Sequence, residues 1–390
     1  MAVRTTPPFR ADHVGSLLRP PELLRAREDA AAGRIDAEEL RAVENDAIRG
    51  AVRLQRDVGL QAVTDGEFRR TSWHMDFIYG LDGISTADDK VKVSFHNAEG
   101  DIEFMAAALH VDARLGVSET IFGEAFSFLR DCADGAVPKL TIPSPSMVHW
   151  RGGSAAIDEG VYPEIDGFWS DLTAAYREEV RRLGELGCTY LQFDDTSLAY
   201  LNDPAQRRYA AEIGGDADSQ HVEYIRHINE ALRDRPAGMS VTTHMCRGNF
   251  RSSWVAEGGY EHVAEALFHE LEVDGYFMEW DDERSGGFEP LRLLPAGETQ
   301  VVLGLVTTKR GALESKEELK RRIEEASRYV SLGQLCLSPQ CGFSSTVDGN
   351  ALTADEQRAK LALVVEVADE VWGVDPTRPA RAGLAPGHTL

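Results

Sequence analysis

The stretch MSVTTHMCRGNF, residues 239–250, is an apolar β-type run that opens onto a polar loop. Three further runs have the same form and follow helical patterns, namely CTYLQFDD at 188–195, GYFMEWDD at 275–282 and QLCLSPQ at 334–340. This alternation is typical of a parallel sheet with crossover helices. Continuously apolar strands are buried on both faces. Polar residues at the carboxyl ends, without Gly-rich phosphate loops, favour an α/β fold of the (β/α)8 TIM barrel type over a doubly wound sheet.

The ends of these runs carry side chains that bind metals. His244 and Cys246 are two residues apart, so strand alternation places them on the same side. Glu279 and Cys341 stand at the ends of two later runs. One imidazole, two thiols and one carboxylate suit a borderline-soft cation such as zinc. A lone His-x-Cys pair is also compatible with an ordinary buried cysteine, which behaves as a small hydrophobe.

Composition restricts the classes of partner. The 390 residues include 41 basic and 65 acidic side chains, for a net charge of -24. This acidity argues against nucleic acid or an anionic membrane as a partner. The five cysteines are too sparse, and odd in number, for a disulfide framework. Because the sequence lacks the apolar core of a signal peptide and any membrane-spanning run, we expect a cytoplasmic protein with reduced thiols. The oligomeric state stays open.

Two segments of the N-terminal half end in groups that could bind a ligand. Residues 9–20, FRADHVGSLLRP, are irregular, and Gly15 and Ser16 could present N–H groups and a hydroxyl, or simply form a loop before a helix. The strand LQAVTD at 60–65 is followed by Gly-Glu-Phe-Arg-Arg at 66–70. A carboxylate and two guanidinium groups therefore stand at a strand exit, where an α/β barrel keeps its chemistry.

Residues 85–116 differ in pattern from the rest of the chain. Apolar residues alternate there around a turn at 97–100, which predicts a β-hairpin inserted into a single domain that spans residues 1–390. The next strand exit ends at Trp150. This indole could form a flat wall for a heterocyclic methyl donor, although a Trp in such a context is more often part of the core.

Two words of the sequence carry a family resemblance. THMCRGNF at 243–250 and SPQCGF at 338–343, with Glu279 on a strand between them, resemble the zinc signature of the C-terminal catalytic barrel of the cobalamin-independent methionine synthase family. The resemblance runs from about Phe9 to Trp372 and is strongest to single-barrel relatives. Epoxyalkane:coenzyme M transferase is related to them. The resemblance implies Zn²⁺ held by His244, Cys246, Glu279 and Cys341.

The same resemblance implies a site for the thiol substrate. The family's I-G-S word, which binds the carboxylate of the amino acid, corresponds to Val14, Gly15 and Ser16. Glu67 and Asp194 correspond to the two carboxylates that hold its amino group. Such charge-assisted hydrogen bonds are strong in a dry cleft. Taken alone, Asp194 could equally cap a following helix.

Departures from the family pattern concern the methyl donor. The family's D-I-H-S word falls at residues 306–309, which read VTTK, so its His is missing. The chain also has room for one barrel, whereas full methionine synthases carry a second barrel that helps hold the polyglutamate tail of the folate. The donor therefore stays open between methylfolate and a simpler methylated corrinoid or sulfonium compound.

These observations predict a zinc-dependent S-methyltransferase of methionine biosynthesis, with His244, Cys246 and Cys341 at the catalytic centre. A bound zinc ion would lower the pKa of the homocysteine thiol and keep it nucleophilic. The alternative within this class is alkyl transfer from an epoxide to coenzyme M, which lacks the ammonium group. A metal-free barrel enzyme of the uroporphyrinogen decarboxylase type and a non-catalytic, zinc-stabilised protein are further alternatives.

Overall fold

The computed structural model describes residues 4–97 and 100–375. The strands are β1 (Ala62–Val63), β2 (Asp82–Asn97), β3 (Gly100–Gly116), β4 (Val137–Pro143), β5 (Tyr190–Asp195), β6 (Ser240–Met245), β7 (Gly275–Glu279), β8 (Gln300–Val306) and β9 (Leu335–Pro339). The α-helices are α1 (Pro21–Ala31), α2 (Ala37–Asp57), α3 (Met75–Ile78), α4 (Gly123–Cys132), α5 (Ser146–Gly152), α6 (Ile165–Glu185), α7 (Ser197–Tyr200), α8 (Pro204–Glu212), α9 (Gln220–Leu232), α10 (Glu261–Glu270), α11 (Lys316–Ala326) and α12 (Ala354–Trp372).

One curled parallel sheet organises the molecule. Its strand order is β1-β4-β5-β6-β7-β8-β9, and every neighbouring pair is parallel. The segment before α1, residues 4–20, is called the first segment below, and it contacts both edges of this sheet. Ala11 forms a parallel bridge with Leu337 of β9, and the Thr64 hydroxyl, just beyond β1, donates to the Gly15 carbonyl at 2.6 Å. The predicted sheet had eight strands, whereas this sheet has seven, because the first segment contributes an isolated bridge.

Local sequence signals set the helix ends. The Asp36 side chain accepts hydrogen bonds from the backbone N–H groups that open α2, and Glu39 completes a capping box. Thr353 and Glu356 form a second capping box at the start of α12. Among the described residues, no helix combines the length and the apolar character needed to cross a lipid bilayer.

Strands β2 and β3 form an antiparallel pair apart from the main sheet. The pair spans 82–97 and 100–116, slightly more than the predicted 85–116, and the turn residues 98–99 lie outside the described residues. The hairpin is attached to the loop after β6, because His96 and Trp254 exchange backbone hydrogen bonds of 2.6 and 2.9 Å. It therefore lies near the carboxyl end of the sheet.

A buried ion pair joins the first segment to β4. The Lys139 ammonium lies 3.3 Å from the Asp12 carboxylate, and both side chains are fully buried. Lys139 also donates to the His13 carbonyl at 2.6 Å, and its charge lies 4.1 Å from the centre of the Phe277 ring. Buried charges persist when they are paired and hydrogen-bonded, so this pair fixes residues 12–13 against the sheet.

Candidate metal centre and active-site cavity

Four buried side chains meet at the carboxyl end of the sheet. His244 lies in β6, Cys246 follows that strand, Glu279 ends β7, and Cys341 follows β9. One ligand atom from each lies within 4.8 Å of all the others. The two sulfurs are 3.5 Å apart, close to the separation of about 3.8 Å that tetrahedral geometry gives for Zn–S bonds of about 2.3 Å. The donor set and its spacing fit a zinc ion.

The imidazole of His244 is oriented by its neighbours. Asp194 of β5 and His244 of β6 are directly paired across the two parallel strands. The Asp194 Oδ1 atom lies 3.1 Å from the Nδ1 atom of His244. A carboxylate on one ring nitrogen leaves the other, Nε2, available as a ligand, and this is a common support for metal-binding histidines.

The backbone and the carboxylate of Glu279 are both held by neighbouring polar groups. The Tyr260 hydroxyl accepts from the Glu279 N–H at 2.9 Å and donates to its carbonyl at 3.2 Å. The Arg247 backbone N–H donates to Glu279 Oε1 at 2.9 Å. The other carboxylate oxygen lies 3.5 Å from Arg284 and 3.9 Å from Lys309. Burial raises the pKa of Glu279, and the two cations oppose that rise.

The pKa values of the two thiols and of the imidazole depend on one another. The hydrogen bond with Cys246 lowers the pKa of Cys341 well below its usual value, and His244 lowers it further. The same hydrogen bond, together with burial, raises the pKa of Cys246. Burial acts to lower the pKa of His244, but its hydrogen bonds with Asp194 and Cys341 outweigh this and raise it. The cluster therefore favours a thiolate, which is the form that binds metals.

A cavity of about 380 Å³ opens onto this cluster. Its wall combines three of the four cluster residues with four of the residues predicted to bind substrate: His244, Cys246, Cys341, Val14, Ser16, Glu67 and Asp194. The remaining substrate residue, Gly15, packs behind the wall. A Cβ atom there would lie 2.8 Å from the Thr141 side chain and 3.2 Å from that of Glu67.

The carboxylate of Glu67 lacks a full set of partners. Its Oε1 atom accepts from the Thr141 hydroxyl at 2.8 Å, whereas Oε2 is buried without a hydrogen bond from any described residue. Arg70 lies 3.8 Å from Oε1. Burial raises the pKa of Glu67 to about 7, with Arg70 opposing and Asp194 adding to the rise. Glu67 also has φ of 60°, a costly conformation for a residue with a Cβ, and such strain is concentrated at functional sites.

Ser16 connects the first segment to the loop that carries Cys341. Its carbonyl accepts from the Phe343 N–H at 3.0 Å, and its hydroxyl accepts from the Ser344 N–H at 3.3 Å. A Cβ atom at Gly342 would lie 2.0 Å from the Ser16 hydroxyl, so only glycine permits this contact. The sequence predicted Ser16 as a binding residue but could not predict this structural role.

The structure does not bring Trp150 to the cavity. Its indole is buried and packs edge-on against Tyr200 and Tyr209, with ring centroids 6.0 and 5.4 Å away. Helix α5 begins at Ser146, and its turn directs Trp150 into the core. The expectation that this indole forms a donor wall is therefore corrected: Tyr200 and Trp73 line the cavity instead.

Several groups near the site were missed by the sequence reasoning. Around Glu279 they are the cations Arg284 and Lys309 and the Tyr260 hydroxyl. In the cavity wall they include Trp73, His74, Phe95, Arg151 and Phe250. Phe95 comes from the hairpin, and its ring centroid lies 5.3 Å from that of Phe250. No local motif marks these residues, because they come from the hairpin, the end of α5 and segments between the regular elements.

Comparison with known proteins identifies relatives that match most of the chain. The family model for the catalytic domain of cobalamin-independent synthases matches residues 164–370. The Bacillus subtilis protein YxjH, which is uncharacterized, is 46% identical over 94% of this chain and 95% of its own. The methionine synthase of Pyrococcus abyssi is 24% identical over 85% of each chain.

Solved structures agree with the sequence relatives. A Listeria monocytogenes protein assigned as a vitamin-B12-independent methionine synthase superposes with a TM-score of 0.75 and 38% identity, covering 95% of this chain and all of its own. A B12-independent methionine synthase from Shewanella, solved with selenomethionine, gives a TM-score of 0.68 at 19% identity, over 93% of this chain and 97% of its own, and shows the fold alone. The chain therefore belongs to the cobalamin-independent methionine synthase family.

Proposed function

We propose that this protein is a zinc-dependent S-methyltransferase that converts homocysteine to methionine. The observation that carries the proposal is a single cavity that exposes both the sulfur pair Cys246–Cys341 and the incompletely partnered carboxylate of Glu67. A thiol that also carries an ammonium group matches both features. Coenzyme M has the thiol but not the ammonium group, so homocysteine is favoured over it.

His244, Cys246, Glu279 and Cys341 would hold the zinc ion in this proposal. Two thiolates, a carboxylate and a neutral imidazole give the occupied site a formal charge of about -1, which makes it a poor Lewis acid toward water. When bound, zinc would instead stabilise the substrate thiol as a thiolate. Asp194 keeps the imidazole in place, and Tyr260 keeps the backbone of Glu279 in place.

The cavity wall would bind the amino-acid end of the substrate. Glu67 and Asp194 would accept hydrogen bonds from the ammonium group, and Ser16, with the backbone at Val14 and Gly15, would bind the carboxylate. An ammonium beside Glu67 would compensate the cost of burying its charge, and this cost is the main cause of its raised pKa. Fixing both ends of the amino acid would align the sulfur for in-line attack on the methyl group.

We infer further that the sheet closes as an eight-stranded barrel in one domain over residues 1–390. The contacts of the first segment with β9 and with the residue after β1 support this closure. In this arrangement the residues around Ala11 take the place of the remaining strand. The β2–β3 hairpin would then cover the cavity, because Val93 and Phe95 belong to its wall.

The donor would be smaller or less tightly held than in the two-barrel enzymes. A volume of about 380 Å³ is near the lower end of ligand pockets. Lys309 belongs to residues 306–309, where the family has the His that helps the methyl donor. Its ammonium group lies 3.1 Å from the Asp281 carboxylate and is therefore already paired. We therefore expect 5-methyltetrahydrofolate to be a slow donor, with little dependence on its glutamate tail.

The test is a donor screen with zinc-loaded protein and homocysteine, with methionine as the measured product. The donors are mono- and triglutamyl methylfolate, methylcobalamin and a methylsulfonium salt. We expect methionine from at least one donor and no advantage for the triglutamate. A strong triglutamate preference would contradict the expectation on the donor. No methionine at all, with turnover of an epoxide and coenzyme M, would replace the proposed function.

A further inference from the structure

The cavity wall contains a guanidinium group without a partner. Arg151 lies in the last turn of α5 and lines the cavity. Among the described residues, none accepts a hydrogen bond from it or lies within ion-pair distance, and its Nε atom is buried without a partner. The cation beside Glu67 is Arg70, at 3.8 Å. The guanidinium of Arg151 therefore has no counter-charge among the described residues and can bind an anion in the cavity.

The other carboxylates of the cavity wall contact groups other than Arg151. Asp76 accepts from two backbone N–H groups, at 2.6 and 2.8 Å. Asp194 contacts the His244 ring at 3.1 Å, and Asp348 lies 2.6 Å from Arg251. None of these three carboxylates forms an ion pair or a hydrogen bond with the guanidinium of Arg151 in the described part of the chain.

The charge of Arg151 also acts on the His74 imidazole in the cavity wall. Burial, and then the charge of Arg151, lower the pKa of His74 well below its usual value. The rings of Trp73 and His74 pack together with centroids 4.3 Å apart, and Tyr200 and Phe95 extend the aromatic wall. In such surroundings a charge-assisted hydrogen bond is strong and an unpaired charge is costly.

We propose that Arg151 binds a carboxylate or sulfonate on a substrate in this cavity, and that the methyl donor is accordingly a small organic anion or zwitterion. This inference rests on the proposed function and names the class of its second substrate. Arginine suits the role because its planar fork binds such oxyanions through two parallel hydrogen bonds. A methylated sulfonium carboxylate satisfies the site, since aromatic faces attract its cationic end.

The transfer from such a donor balances without a further reactant. The homocysteine thiolate forms a new bond to the methyl carbon while the S–CH₃ bond of the sulfonium breaks. The electron pair of that bond stays on the donor sulfur, which becomes an uncharged thioether sulfur. The departing molecule keeps its carboxylate group and is therefore an anion. Arg151 would hold this carboxylate throughout, so it would position the donor without taking part in bond breaking.

The experiment compares two matched probes by calorimetry on the zinc-loaded protein with homocysteine present. Methylthiopropionate represents the departing thioether, and methylthiopropanol has the same skeleton without the charge. We expect the acid to bind at least about tenfold more tightly, by the scale for hydrogen bonds to charged groups. Arg151→Gln should remove this preference while leaving the alcohol unaffected, and Arg151→Lys should restore part of it.

A second pair of probes shows which substrate carries the anion. Mercaptoethanesulfonate and mercaptoethanol are titrated without homocysteine. A sulfonate preference that depends on Arg151 and competes with homocysteine would place the anion on the acceptor, which overturns the anionic donor and the proposed acceptor but keeps the role of Arg151. Equal affinities within both pairs for the wild-type protein would overturn the role itself, whether or not the variants fold. Failure of homocysteine to bind is a separate outcome that contradicts only the proposed function.

Discussion

Replacing Glu67 with glutamine tests the proposed ammonium site most sharply. The change preserves size and removes one negative charge from a side chain that is 2% exposed. No described residue donates a hydrogen bond to the buried Oε2 atom, so this oxygen can accept one charge-assisted hydrogen bond from the substrate, and the substitution would remove that bond. Such a bond contributes about 1.5 to 3 kcal/mol, which corresponds to a loss of roughly 10- to 150-fold in homocysteine affinity.

The assay is calorimetric titration of zinc-loaded protein at about pH 8, where a carboxyl group with a pKa of about 7 is mostly ionised. Mercaptobutyrate, which is homocysteine without the amine, should bind wild type and Glu67→Gln equally well. Glu179→Gln is the matched control, because burial also raises the pKa of Glu179 to about 7 and Glu179 is not part of the cavity wall. Equal losses for both thiols, or a loss with Glu179→Gln, would show that Glu67 does not bind the ammonium group.

Three further predictions concern metal, pH and the buried ion pair. Cys246→Ser or Cys341→Ser should lose most of the zinc in elemental analysis, whereas Cys188→Ser, at a buried cysteine elsewhere, should retain it; full occupancy in either site variant would exclude these ligands. Because burial raises the pKa of Glu67 from 4.5 to about 7, its ionisation should lower the free energy of unfolding between those pH values, by up to about 3 kcal/mol. Urea denaturation across this range should show that contribution missing in Glu67→Gln, and identical pH profiles would argue against it. Lys139→Met removes the ammonium partner of the buried Asp12 carboxylate, which keeps hydrogen bonds from two backbone N–H groups and the Tyr190 hydroxyl, so the unfolding free energy should fall by about 3 kcal/mol, the lower end of the cost of breaking a buried pair; a loss under about 1 kcal/mol would show that the pair is not a buried charge pair in solution.

The convergence of the four cluster residues could be predicted because it follows from strand geometry. Alternation puts His244 and Cys246 on one side of β6, and parallel strands end at a common edge, which brings Glu279 and Cys341 close. Distances of this kind depend on the backbone more than on side-chain packing. The pairing of Asp194 with His244 also follows from strand register, but register between separate strands could not be read from the sequence.

Features that depend on tertiary packing were not predictable. The position of Trp150 depends on the turn at which α5 begins, and a shift of one residue rotates a helical side chain by about 100°. Arg284 and Lys309 reach Glu279 from a short 3-10 helix and a loop, neither of which has a periodic sequence pattern. The eighth strand was expected from the barrel class, yet the segment around Ala11 forms a single bridge, with Leu337 of β9.

The central claim is that zinc in this site takes the thiol of homocysteine as a ligand. X-ray absorption at the zinc edge, measured on loaded protein with and without homocysteine, tests it directly. We expect two sulfur neighbours at about 2.3 Å without substrate and three with homocysteine, with the third missing when mercaptobutyrate replaces homocysteine at low concentration. A sulfur count that stays at two under saturating homocysteine, or a protein that binds homocysteine equally well without zinc, would contradict it.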